Sequence, residues 1–478
     1  MAEKGLNTKS SEFSEKLVEY INSSDYTVYK LSQITGLGRT AIQHTMSGKL
    51  LPAQDFVEKL SLALPITTNQ RSELIELYRR EKIGSKAYYN RIHVKEMIEQ
   101  LPNYCIADSA PKNKTIPAPV QCDTVVRGIV NVNNALRNII INENNEENPL
   151  LTTTLPYENK MFFDMLKALD LSDKSIKLKH YIKTYDETDP ITMLEEALKL
   201  SMNKGIIYKM YVSCEQNRPE SYSSAFPFYL LSSRYIVTIS ADFNAAYISD
   251  NKDLHSIFMQ HTADIEQKSV PTLDTYDEFQ MFDILFGNGQ DYSESIEFQP
   301  CLSSYINIDN VMSHMKYFEG RSELIDKFKS RFFYEDGTVM ALLNKCYFSL
   351  DGLKSFTENG IIVTTIGRMV PTPLTIEERI YLLEKLRDDT EKKVMIDPIR
   401  LTIPENMQLF IREDKSIVIS FCMSDSPFCC VVHSVELYEI FNDFVDSLEQ
   451  DKLVVSEAEM VQAVDDCISA LKNKLAQN

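Results

Sequence analysis

Long apolar runs are missing from this 478-residue chain. None approaches the ~18 apolar residues of a membrane-crossing helix, so no membrane partner is expected. No N-terminal segment joins a basic start, an apolar stretch and a small-residue cleavage site, which argues against a secretory signal. Cysteine forms no framework: nine residues, an odd number, are scattered over the chain. Together these absences predict a soluble protein of a reducing, cytoplasmic compartment. Catalytic signatures are missing as well. There is no G-x-x-x-x-G-K-[ST], no H-E-x-x-H and no G-x-S-x-G. No enzymatic activity, catalytic residue, cofactor or metal is expected.

Positive charge is scarce, and unevenly so. The formal net charge is −19. Residues 1–100 carry 14 Lys and Arg against 12 Asp and Glu, a net of +2. The remaining 36 and 57 leave residues 101–478 at −21. That acidic part should repel nucleic acid and acidic membranes, so any DNA binding has to come from the first hundred residues. The 44% apolar content supports sizeable cores, and the length suits two or three domains.

The first hundred residues read as helices throughout. Phe13, Leu17, Tyr20 and Ile21 share one face of a first helix. Asp25 and Thr27 offer caps for a second, with Val28, Leu31 and Ile34 as its apolar face. Gly36 ends it through a positive φ. Leu37 turns inward, and a third helix runs from about Gly38 to Met46 with Ile42 and Met46 inward. Further helices are expected near residues 55–64, over 67–83 and around Val94–Leu101.

The stretch LSQITGLGRTAIQHTMSGK, residues 31–49, admits two explanations. Gly36-Leu37-Gly38-Arg39-Thr40-Ala41 fits G-x-G-x-x-A, a dinucleotide-binding fingerprint. That fingerprint needs a buried strand immediately before it, and VYKLSQIT has helical spacing instead. A helix-turn-helix needs a tight turn that aims its second helix into a major groove about 12 Å wide. Leu31-Ser32, Gly36-Leu37-Gly38, Ile42, Gly48 and Pro52 stand at the matching places of that pattern. Over residues 12–80 the chain resembles the lambda-repressor/Cro-like (XRE) family of helix-turn-helix transcriptional regulators. It departs at Ser32, where the family usually has alanine, at Gly38, where it has a small hydroxyl residue, and at Met46, where glutamate is frequent.

The resemblance implies a role for each matched position. Arg39, Thr40, Ala41 and His44 would face base edges. Arg39 could hold guanine O6 and N7 bidentately, and Ala41 could touch a thymine methyl. Thr27, Gln43 and Lys49 would contact phosphates. Gly36 and Gly38 form the turn. The alternative for Arg39 and His44 is a solvated helix face.

The expected organisation is a multidomain chain: an all-α helix-turn-helix DNA-binding domain over residues 1–83, a connecting helix and Pro-rich linker over 84–120, and a larger α/β (or α+β) C-terminal region built from two duplicated halves, 121–285 and 286–478. The duplication rests on three matches at an offset of 183 residues: Pro190-Ile191-Thr192 with Pro373-Leu374-Thr375, Leu254-His255-Ser256-Ile257-Phe258 with Leu437-Tyr438-Glu439-Ile440-Phe441, and Ile265-Glu266-Gln267 with Leu448-Glu449-Gln450. Its first strands would be 176–182 and 361–366. A ligand site between the halves and a ligand-free dimerisation platform are both open readings. Phospholipase-D-like folds pair two H-x-K motifs. His180 and Lys183 are spaced H-x-x-K with no second copy, which excludes that chemistry. Cys422, Cys429, Cys430 and His433 cluster in sequence, but successive strand residues point to opposite faces, so core thiols are the better reading. Asp277-Glu278 and Glu377-Glu378 read as solvated faces and Gly287-Asn288-Gly289 as a turn. The functional expectation is a sequence-specific transcriptional regulator that binds a double-stranded DNA operator as a homodimer and answers to a small-molecule or peptide effector. The alternative is a metabolite-binding protein or enzyme whose helical N-terminus docks protein.

Overall fold

The computed structural model describes residues 11–104, 117–169, 175–185, 189–202, 205–215, 225–276, 292–302, 343–363, 372–423 and 426–477, with isolated positions between them. Residues 105–116 of the linker, Asp277-Glu278, Gly287-Asn288-Gly289 and positions 364–366 lie outside the described residues, as does the Cys422 side chain. The chain forms two compact units, Met1–His93 and Val94–Asn478.

The first unit contains α1 (Glu12–Asn22), α2 (Val28–Thr35), α3 (Arg39–Met46), α4 (Gln54–Ala63) and α5 (Thr68–Ile83). The starts of α1, α2 and α5 are set by side chains that accept otherwise orphaned N–H groups. Ser11 caps α1, and Thr67 with Gln70 forms a reciprocal capping box on α5. Phe13, Leu17, Tyr20, Ile21, Leu31, Ile42, Val57, Leu60, Leu64, Leu74 and Tyr78 bury one core. The buried Tyr78 hydroxyl donates to the Pro52 carbonyl at 2.8 Å, tying α5 to the loop that follows α3. Ile34, expected inward, is 53% exposed. A sixth helix, α6 (Ser85–Tyr104), crosses the division between the units. Its Val94, Met97, Ile98 and Leu101 belong to the core of the second.

The second unit corrects the expected fold class of an all-α helix-turn-helix domain plus an α/β region in two duplicated halves. The chain is mixed α/β, with one continuous 14-stranded sheet among the described residues. The strands are β1 (Thr124–Arg127), β2 (Leu150–Thr153), β3 (Ile176–Tyr185), β4 (Ile206–Glu215), β5 (Phe228–Leu231), β6 (Ile236–Ile239), β7 (Ala245–Ser249), β8 (Val270–Tyr276), β9 (Tyr292–Glu297), β10 (Leu343–Phe348), β11 (Lys393–Met395), β12 (Met407–Arg412), β13 (Ile417–Met423) and β14 (Ser426–Val432). They lie in the order β1-β7-β6-β5-β2-β3-β4-β8-β14-β13-β12-β9-β10-β11.

The reason there are not two bodies is β8. It pairs antiparallel with β4 on one side and β14 on the other, so neither neighbour presents an open edge there. Along this single sheet the connectivity of the first seven strands is followed by the same connectivity in the next seven. The offset of 183 residues fits only its later elements: β6, β7 and the helix Lys252–Lys268 precede β13, β14 and Val435–Ser447 by 181, 181 and 183 residues, whereas β3 precedes β10 by 167. Residues 361–363 form no strand, and the place of β3 is taken by β10. Pro190 opens the helix Pro190–Ser201, whereas Pro373 lies outside the corresponding helix, whose N-cap is Thr375.

The parallel runs β2-β3-β4 and β9-β10-β11 each require crossovers, and helices supply them. Examples are Pro190–Ser201, between β3 and β4, and Ile376–Asp388, between β10 and β11. One large apolar cluster spans strands from both ends of the sheet, from Ile248 of β7 through Leu178, Met210, Cys430 and Leu409 to Tyr347 of β10. No helix among the described residues is long and apolar enough to cross a membrane.

Candidate nucleic-acid interface

The corner between α2 and α3 is built by local hydrogen bonds. The Thr27 side chain accepts the Lys30 N–H at 3.2 Å and starts α2. Gly36 ends it at φ 72°, with nothing within 4 Å of where a Cβ would stand. Backbone conformation, not space, demands glycine there. The Ser32 hydroxyl donates to the Leu37 carbonyl at 2.6 Å. The Thr35 hydroxyl donates to the Leu31 carbonyl at 2.7 Å and accepts the Leu37 N–H at 3.2 Å. Ser32 is thus a staple across the turn, a role that alanine at this place could not fill. Leu37 packs partly into the core.

Gly38 is extended at φ −65° and caps α3 without any side-chain hydrogen bond. No side chain therefore covers the leading N–H groups of α3, where the helix dipole is positive. At 100° per residue, Arg39, Gln43, Thr40 and His44 fall in an arc of about 140°. All four are exposed, while Ile42 and Thr45 on the opposite side are buried. Ala41 stands at the margin, half-buried, with its carbonyl accepting the Thr45 hydroxyl at 2.9 Å. The predicted base-contacting residues Arg39, Thr40 and His44 thus share one outward face with Gln43, and Ala41 borders it. Thr27 is exposed at the head of α2. Lys49 is exposed just past α3, its N–H bonded to the His44 carbonyl at 2.9 Å.

Charge is arranged around this corner. No Asp or Glu occurs between Asp25 and Asp55, whereas Lys30, Arg39 and Lys49 do. Two other cations of the unit are paired, Lys16 with Glu73 and Arg80 with Glu12, both at 3.3 Å. Among the described residues no carboxylate pairs with Arg39 or Lys49. Sequence reasoning missed Tyr29. Its ring lies 4.7 Å from the Arg39 guanidinium carbon, and its hydroxyl accepts from Gln33 Nε2 at 2.8 Å. The i, i+4 spacing of Tyr29 and Gln33 was legible. The contact across the turn was not.

The second unit holds polar groups of a different character. His180 on β3 is fully buried. Its Nε2 is 2.6 Å from the Leu155 carbonyl, which can only accept, so Nε2 carries the proton. Nδ1 then accepts from the Tyr208 hydroxyl at 2.7 Å, and Tyr208 accepts from Tyr157 at 2.8 Å. Burial pushes the imidazole down to about 4. His180 is a neutral core histidine with both nitrogens engaged. Cys429 and Cys430 are fully buried on β14, and burial pushes the Cys429 thiol up to about 12 and the Cys430 thiol well above its ordinary value. Among the described residues no group of three or more His, Cys, Asp and Glu is placed to hold a metal ion.

No family model matches the chain, and no curated protein matches it. A solved structure, the crystal structure of polyphosphate kinase from Porphyromonas gingivalis, matches over 71% of this chain at 10% identity and a TM-score of 0.22. The chain spans about half of that protein, 55% of its length. An enzyme thus stands among the structural matches of a chain whose sequence lacks catalytic signatures. Likeness of this degree carries no argument about fold or activity.

Proposed function

We propose that this protein is a sequence-specific DNA-binding transcriptional regulator whose α3 enters the major groove, as the lambda-repressor/Cro-like resemblance implies. The observation that carries the reading is the outward face of α3. Arg39, Thr40, Gln43 and His44 are exposed together on a short helix behind a glycine turn, in a stretch without a single carboxylate. Arg39 is assigned a guanine, Thr40 and His44 neighbouring base edges, and Ala41 a thymine methyl. Thr27, Gln43 and Lys49 are assigned phosphates. Of the residues assigned to phosphates only Lys49 is a cation, so useful affinity at physiological salt requires two copies, and the operator should be a pseudo-palindrome. The acidic second unit discourages binding to DNA at large and is the place for an effector. A cytoplasmic location belongs to the same reading. Selection of the full-length chain on random duplexes tests it. Enrichment of one pseudo-palindromic site is expected; a dimeric preparation that enriches none refutes the reading.

A further inference from the structure

Tyr29 is an unusual residue to find on an outward helix face. It is 51% exposed and belongs to no buried cluster of the unit, although its neighbours Tyr26 and Val28 pack against the core. Its contacts run outward and across the turn instead. The ring meets the guanidinium of Arg39, the first residue of α3, at 4.7 Å from its centroid. The hydroxyl accepts from Gln33 Nε2, one turn further along α2, at 2.8 Å. A phenol that accepts one hydrogen bond keeps its own proton free to donate. A cation held against a ring face still has the N–H donors at the guanidinium edge available for a bidentate acceptor. Arg39 therefore keeps its hydrogen-bonding edge while losing much of the rotamer freedom that a long, solvated side chain would have to surrender on binding. No carboxylate lies between Asp25 and Asp55 to compete for it.

We propose that Tyr29 is a positioning residue of the DNA-reading surface, bracing Arg39 and Gln33 from α2 so that both helices present their polar side chains to one duplex as a unit. This rests on the DNA-binding reading above. Tyr29 acts through Arg39, so its removal lowers discrimination at one base pair and leaves electrostatic attraction to the backbone untouched.

The test uses the full-length chain, the duplex it selects, and the same duplex with the guanine assigned to Arg39 replaced. Affinities are measured over a range of salt concentrations for wild type, Tyr29→Leu, Tyr29→Phe, Arg39→Ala and the Tyr29→Leu/Arg39→Ala pair. Tyr29→Leu should lower the preference for guanine by about two- to fivefold, the range for an exposed cation–π contact, with the salt slope unchanged. Tyr29→Phe keeps the ring and should restore that preference. In the Arg39→Ala background Tyr29→Leu should add nothing. Equal weakening on both duplexes, failure of Tyr29→Phe to restore the preference, or full additivity with Arg39→Ala overturns the inference while the DNA reading stands. A wild-type chain that enriches no duplex overturns both. Hydrogen exchange of the α2 and α3 amides accompanies each variant, and Tyr29→Gln, equally suited to an exposed site, replaces Tyr29→Leu if the latter loosens the fold.

Discussion

Replacing Ile42 by alanine should separate the two faces of α3. Ile42 is fully buried and is among the largest side chains of the chain with no exposed surface. It lies in one cluster with Leu17, Leu31, Leu60 and Leu74, so truncation leaves a cavity bounded by several helices rather than a dent at the surface. Ile→Ala substitutions in such sites cost about 2–5 kcal/mol, from lost burial and from the cavity itself. Three residues away on the same helix stands Arg39, and two away His44, both exposed. Their replacement by alanine should change stability by less than about 0.5 kcal/mol. Hydrogen–deuterium exchange of the full chain, read on peptides within residues 12–83, resolves this unit from the other. In Ile42→Ala the slowest amides of α1 to α5 should exchange from about thirtyfold to several thousandfold faster, the exponential of that energy over RT. In Arg39→Ala and His44→Ala they should exchange as in wild type. If Ile42→Ala is silent while His44→Ala opens the unit, the helix presents the opposite face and the reasoning fails.

Other expectations follow from particular contacts. Ser32→Ala removes the hydroxyl that donates to the Leu37 carbonyl at 2.6 Å and should cost about 0.5–1.5 kcal/mol, seen as faster exchange at Leu37 and Gly38. His180 is pushed down to about 4 in the folded chain from its ordinary value of 6.5. The unfolded chain therefore binds the extra proton first, and stability is lost as pH falls from 6.5 towards 4, by about 3 kcal/mol across that window. Denaturation midpoints of the second unit should show this slope, and His180→Phe should flatten it; an unchanged slope in that variant contradicts the assignment. Cys429 and Cys430 are buried thiols held protonated, so iodoacetamide at pH 8 should label them only once the second unit is unfolded. Mass mapping of labelled peptides from native protein checks this.

What could be read from the sequence was local. Gly36 and the cap Thr27 act within a few residues of themselves, and the helix they bound follows from spacing. Ile34 shows the limit of that reasoning. It completes an apolar series with Val28 and Leu31, yet it is exposed while Leu31 is buried. The sheet was beyond reach because its decisive contacts are distant: Leu273 of β8 lies opposite Met210 on one side and Val432 on the other. Residues 361–363 belong to an apolar string that reads as a strand, yet the described strand at this place is 343–348, and its pairing with β9 is what distinguishes it. At the site, the exposure of Arg39 and His44 follows from 100° steps around a helix. The Tyr29 brace does not, because it joins side chains from two helices across a turn whose angle the sequence does not state.

In the proposed complex the leading side chains of α3 read base edges. Equilibrium binding of wild type, Arg39→Ala and Lys49→Ala to the selected duplex and to its single-base variants tests this most directly. Arg39→Ala should lose about 1–3 kcal/mol of discrimination at one base pair, and Lys49→Ala should weaken all duplexes alike while flattening the salt slope by about one unit. Identical base preferences in wild type and Arg39→Ala would mean that Arg39 reads no base edge.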